Sequence, residues 1–126
     1  MAQGTFVTAV NCMDGRVQLP VIEYLKNKYG VDYVDMITEP GPIKFLAENT
    51  DSTIVNSIKN RVAISAEKHG SKVLAIVGHD DCAGNPVDRN TQIKQIEKAI
   101  ELAKTWGLDI DFLKLYVTDK WEVEEI

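Results

Sequence analysis

Apolar residues are arranged in two ways along this chain: short, nearly unbroken runs, and longer stretches in which they return every third or fourth position. The runs predict strands over Thr5–Asn11, Val31–Thr38, Lys72–Gly78 and Phe112–Thr118. The third, Lys72–Gly78, is apolar almost throughout, as in a strand covered by helices on both faces. The stretches between them read as amphipathic helices. Pro20 suits a first helical turn, where a missing N–H costs nothing; Val21, Ile22, Leu25 and Tyr29 supply one apolar face, and Gly30 suits a left-handed stop. Pro40-Gly41-Pro42 cannot continue a ladder, so it ends the second strand, and Ile43–Glu48 reads as one or two helical turns. Asp51 or Ser52 caps a longer helix on Ile54, Ile58 and Val62, followed by Gly70. Asn90 or Thr91 caps the last one, with Ile93, Ile96, Ile100 and Ala103 on one stripe and Gly107 near its end.

Strands separated by amphipathic helices predict a three-layer α/β fold: a mainly parallel, four-to-five-stranded sheet flanked by helices and joined by right-handed crossovers. A length of 126 residues suits a single core, so residues 1–126 are read as one domain. In such sheets ligands bind beyond the carboxyl ends of the strands.

Charge removes several classes of partner. Fourteen Lys and Arg against nineteen Asp and Glu give a net charge of −5 with no basic patch, which argues against nucleic acid. No apolar run reaches spanning length, so no membrane partner is expected. The absence of a charged-then-apolar leader, with only two cysteines, predicts a cytoplasmic protein with free thiols.

The chemistry sits directly after two predicted strands. Cys12-Met13-Asp14-Gly15-Arg16 follows the first, and His79-Asp80-Asp81-Cys82 follows the third. If those strands are neighbours, both clusters share one sheet edge. Two thiolates and one imidazole then converge in a set that suits zinc and leaves a fourth tetrahedral position open, as a catalytic site needs. A phosphatase loop would need five residues between Cys and Arg; here three intervene, and Asp14 would repel a phosphate. A rhodanese-like persulfide loop wants a longer arc. A Cys12–Cys82 disulfide, or two unrelated buried thiols, would leave His79 without a purpose. In the metal reading Asp14 is a nearby carboxylate and Arg16 its bidentate partner. Elsewhere, His69 in a helix's last turn reads as a surface residue without chemistry. Asp80 and Asp81 read as loop or cap residues or as acceptors behind the ligands, and Trp106, Tyr116 and Trp121 as core or edge packing. The tail from Thr118 to Ile126 is a candidate to cross onto a partner.

Taken together, the two clusters resemble the paired zinc signature of the β-class carbonic anhydrases, over a stretch from about Gln3 through Cys82 and more loosely beyond. The resemblance implies a β-carbonic-anhydrase-like fold and one Zn²⁺ per chain on Cys12, His79 and Cys82. It also implies an Asp14–Arg16 ion pair beside the metal and a lyase that reversibly hydrates carbon dioxide to bicarbonate by zinc-bound hydroxide. Asp14 would accept a hydrogen bond from that hydroxide or, as in some members, swing onto zinc; the sequence allows both. Gln3, nine residues before Cys12, falls where plant-type members carry a Gln that donates to substrate. A homodimer, or a higher assembly of dimers, is implied too. Three departures stand out: the family's N-terminal helices are missing, its Arg-Asn-Ala-Gly-Asn-like loop is replaced by Glu39-Pro40-Gly41-Pro42, and Ala83 rather than Gly follows the second cysteine, with Gly84 one place later. They keep two other readings open, a hydrolase of COS or CS₂ that uses the same chemistry and a non-catalytic zinc-binding module.

Overall fold

Nine regular elements and one 3₁₀ turn build the fold in the computed structural model, which describes residues 3–126. In chain order they are β1 (Phe6–Cys12), the 3₁₀ turn Gly15–Val17, α1 (Gln18–Tyr29), β2 (Tyr33–Glu39), α2 (Pro42–Glu48), α3 (Ser52–Lys68), β3 (Val73–His79), α4 (Arg89–Lys104), β4 (Asp111–Val117) and β5 (Val123–Glu125). The strands form one sheet in the order β2-β1-β3-β4-β5, parallel except for β5, which pairs antiparallel with β4. The expected three-layer α/β architecture is therefore present, with five strands.

Side-chain alternation along the central strands sorts the core into two layers. On β3, Val73, Ala75 and Val77 face one side with Val21 and Leu25 of α1. Leu74 and Ile76 face the other with Ile58 and Val62 of α3, Ile43 and Leu46 of α2, and Ile96 and Ala99 of α4. Every residue of β3 is buried, as a strand sandwiched between helices requires. One face is thus covered by α1 and the C-terminal hairpin, the other by three helices.

Local chemistry accounts for most element ends, with some shifts from expectation. Gly30 stops α1 in the left-handed region (φ 62°), where a Cβ would be strained. Asp51 caps α3 by accepting from the Ile54 N–H. The cap of α4 is Asp88, which accepts from the Thr91 N–H, so that helix begins just before the Asn90 or Thr91 start expected from the sequence. Helix α1 begins two residues before Pro20, since Gln18 uses its side chain to bind the preceding loop. The stripes also rotate slightly: Val55 rather than Ile54 is buried on α3, and Gln92 and Ala99 rather than Ile93 and Ile100 on α4. The tail does not stand free to cross to a partner. Val123–Glu125 folds back on β4, pairing Val117 with Val123 and Leu115 with Glu125.

Candidate metal centre

β1 and β3 are adjacent and parallel, so their carboxyl ends deliver Cys12 and His79 to the same sheet edge. The loop after β3 then turns back to bring in Cys82. All three residues are buried, and their ligand atoms lie within 4.8 Å of one another. The two sulfurs are 3.8 Å apart. Tetrahedral bonds of about 2.3 Å from one zinc to two sulfurs would hold those sulfurs at about that separation. His79 Nδ1 lies 2.7 Å from the Asp80 carbonyl, which can only accept, so Nδ1 carries the proton and Nε2 presents a lone pair. That Nε2 is the one buried side-chain nitrogen or oxygen among the described residues without a hydrogen-bond partner. A buried, unsatisfied nitrogen facing two sulfurs fits a metal ligand set of two thiolates and one imidazole.

The electrostatics agree with such a set. A hydrogen bond from Cys82 is the largest influence bringing the Cys12 thiol down to about 4, aided by His79 and the backbone N–H groups of Gly41 and Asp14 against the opposing effect of burial. The same contact, with burial and the Cys12 charge, pushes Cys82 up, because a second thiolate beside the first is repelled. A divalent cation between the sulfurs removes that opposition. Burial alone would lower the His79 pKa, but Cys12 and the Asp80 carbonyl outweigh it and raise it.

Polar side chains hold the ligand loops from behind. Asn11 accepts from the Cys12 N–H (3.0 Å) and donates to the Val17 carbonyl (3.0 Å). Gln18 donates to the Cys12 and Asp14 carbonyls at 2.6 and 3.1 Å. Buried Gln92 grips the His79 backbone at both ends, accepting from its N–H (3.0 Å) and donating to its carbonyl (2.8 Å). The Gly41 N–H points at Cys12 Sγ (3.5 Å), and the loops after β2 and β3 meet through glycine. A Cβ on Gly84 would stand 2.6 Å from the Pro40 carbonyl carbon, and one on Gly41 2.8 Å from Asn85 Cβ.

Asp14 and Arg16 form a bidentate pair on the rim. Arg16 Nη2 donates to Asp14 Oδ2 (2.6 Å), while its Nε and backbone N–H donate to Oδ1 at 3.0 and 2.9 Å. These bonds, led by the side-chain pair, bring the Asp14 carboxyl down to about 2. Arg16 also donates to Asp81 Oδ2 and to the Asp81 carbonyl, both at 3.2 Å, and its guanidinium lies 4.3 Å from the centre of the Trp121 ring.

A family model described as "Putative carbonic anhydrase" matches residues 2–126 of this chain. The chain belongs to this carbonic anhydrase family. A β-carbonic anhydrase, isoform I, from the protozoan Trichomonas vaginalis has a similar fold, with a TM-score of 0.61 at 17% identity over 94% of this chain and 81% of that one. No curated protein matches the chain.

In this carbonic anhydrase family member, five of the six expected site residues gather at one sheet edge: Cys12, Asp14 and Arg16 from the end of β1, and His79 and Cys82 from the end of β3 supply the cluster, while Gln3 stays apart. Gln3 is exposed and precedes β1, at the amino edge of the sheet, so within one chain it is separated from Cys12 by the length of that strand. His69 is not an idle surface group. It is half-buried, with Nδ1 2.6 Å from Asp35 Oδ2 and its ring stacked on Phe6 at 4.3 Å. Asp81 is an acceptor for Arg16 rather than a cap, and Trp121 touches Arg16 besides packing on the core. Sequence reading missed Gln92, although a polar residue four before Ile96 on an apolar stripe was a usable signal. Trp121 had no such signal, because its contact with Arg16 depends on the hairpin folding back.

Proposed function

We propose that this chain is a zinc-dependent carbonic anhydrase that reversibly hydrates carbon dioxide to bicarbonate, with one Zn²⁺ held by Cys12, His79 and Cys82. The observation that carries this reading is the unpartnered, buried His79 Nε2 aimed at two sulfurs 3.8 Å apart, in a chain of the carbonic anhydrase family. Zinc held there would supply a Lewis acid able to make hydroxide available near neutral pH.

The chain's own residues do the rest. Cys12 and Cys82 bring two negative charges and His79 a neutral imidazole, whose tautomer the Asp80 carbonyl sets. Asp14 stays ionised at neutral pH beside Arg16. Its Oδ1 accepts the Arg16 backbone N–H and Nε, and its Oδ2 accepts Nη2 at 2.6 Å and the same Nε at 3.2 Å. Because Nε is shared between the two oxygens, the carboxylate keeps acceptor capacity for a further donor such as a reacting water. Arg16 acts through Asp14, aiming the carboxylate with a planar fork that a lysine cannot copy. Free thiols at Cys12 and Cys82 suit a reducing compartment such as the cytoplasm. Among the described residues no helix is long and apolar enough to cross a membrane. We take residues 1–126 to work as one domain, within a homodimer or an assembly of dimers.

Elemental analysis and stopped-flow CO₂ hydration test the reading together. The expected outcome is close to one zinc per chain, turnover by the zinc-loaded protein, and loss of both in Cys82→Ser. Zinc binding without turnover of any of these substrates would make the chain a non-catalytic metal module. Turnover of COS or CS₂ without CO₂ hydration would make it the corresponding hydrolase.

A further inference from the structure

We propose that Trp121, carried on the C-terminal hairpin, is a positioning residue for Arg16 and through it for the Asp14 carboxylate beside the metal ligands. Its catalytic consequence rests on the carbonic anhydrase reading; the positioning itself does not. Arg16 is nearly half exposed, with 44% of its side-chain surface accessible. An exposed arginine paired only with a carboxylate two residues away would sample many rotamers, and such a pair contributes little by itself. Here the guanidinium is held on three sides. Asp14 takes one edge, Asp81 takes another through both its carboxylate and its carbonyl, and the Trp121 indole covers a flat face at 4.3 Å.

The backbone points the same way. Three non-glycine residues among those described have positive φ: Asn49, Asp81 and Trp121. Two of the three are the ones that hold Arg16. An aromatic residue seldom adopts the left-handed region, and such an outlier persists only where the surroundings enforce it. Those surroundings are a short, well-tied hairpin. The Trp121 N–H donates to the Thr118 carbonyl and the Thr118 N–H to the Glu122 carbonyl, both at 2.9 Å. β5 is then pinned to two helices, through Glu124 to Arg89 of α4 (2.7 Å) and through Glu125 to Lys28 and Tyr24 of α1 (3.3 Å each). The hairpin tip is therefore placed by the whole sheet edge, and it places Arg16 in turn.

NMR of the zinc-loaded protein and steady-state kinetics test the proposal independently. In the wild type the indole ring current shifts the Arg16 side-chain protons upfield. Trp121→Ala abolishes that shift and lowers kcat about fivefold, with KM and zinc content unchanged, because the residue binds neither substrate nor metal. Trp121→Phe keeps a ring over the guanidinium and restores most of both signals. Wild-type Arg16 resonances without an upfield shift would overturn the proposal without any variant. So would a Trp121→Ala protein that keeps the Arg16 shift, or one that turns over at the wild-type rate. If the wild type hydrates no CO₂, the functional reading fails, and the NMR comparison still decides whether Trp121 holds Arg16.

Discussion

At His79 the ring and the backbone are held by different residues: the Asp80 carbonyl fixes the ring, and Gln92 grips both backbone polar groups from the neighbouring helix. The ligand nitrogen is thereby aimed by two independent anchors. Gln92 is buried, so its loss leaves a donor and an acceptor of His79 in the interior without partners. Gln92→Leu should lower stability by about 2–3 kcal/mol, read as a reduced urea midpoint at unchanged slope. The same variant should release zinc faster to a chelator, because the imidazole loses one of its anchors. Gly78 fits the same arrangement: a Cβ there would stand 2.7 Å from Gln92 Oε1, so the clamp needs a bare backbone opposite it.

The elements meet most tightly where the loops after β2 and β3 cross. Gly84→Ala would drive a methyl into the Pro40 backbone 2.6 Å away and push the Cys82 loop off Cys12. The cost should be about 1–3 kcal/mol, with weakened zinc retention. Gly15→Ala, which meets nothing within 4 Å, is the matched control and should melt close to wild type by calorimetry. A second prediction concerns α4. Hydrogen bonds from the side chain and backbone N–H of Thr91 lower the pKa of Asp88. A carboxylate lowered on folding stabilises the protein fully above its unfolded value, about 3.9, and that contribution disappears as pH falls through the folded value. Asp88→Asn keeps an acceptor at the cap but cannot titrate. Its melting temperature should therefore fall less steeply than wild type as pH drops from about 5 to about 2.

Across the whole molecule the two sheet faces are covered unequally, by α1 and the hairpin on one side and by three helices on the other. β2 is an edge strand that leaves Tyr33 55% exposed, and two further large apolar side chains, Met13 (60%) and Leu19 (66%), stand exposed beside the Cys12 loop. Unpaired edges and apolar rims of this kind are what a second copy covers. Light scattering at micromolar concentration should give twice the chain mass or a multiple of it, and a stable monomer would contradict the dimer proposal.

The strands and helices, and the placing of both ligand clusters directly after strands, were legible in the sequence because each rests on short-range pattern: apolar runs, helical periodicity and turn residues. The chemistry of two thiolates and one imidazole was legible for the same reason, since residue type alone carries it. Which strands are neighbours was not, and that adjacency of β1 and β3 is what turns two distant clusters into one site. Helix α4 buries Gln92 where a simple apolar stripe was expected, because the His79 backbone needs its amide more than the core needs another methyl. The tail folds back as β5 because β4 offers an open edge, and only that return brings Trp121 onto Arg16, over a hundred residues away in the chain. Contacts between residues so far apart are set by packing across the sheet, and no local run of residues encodes them.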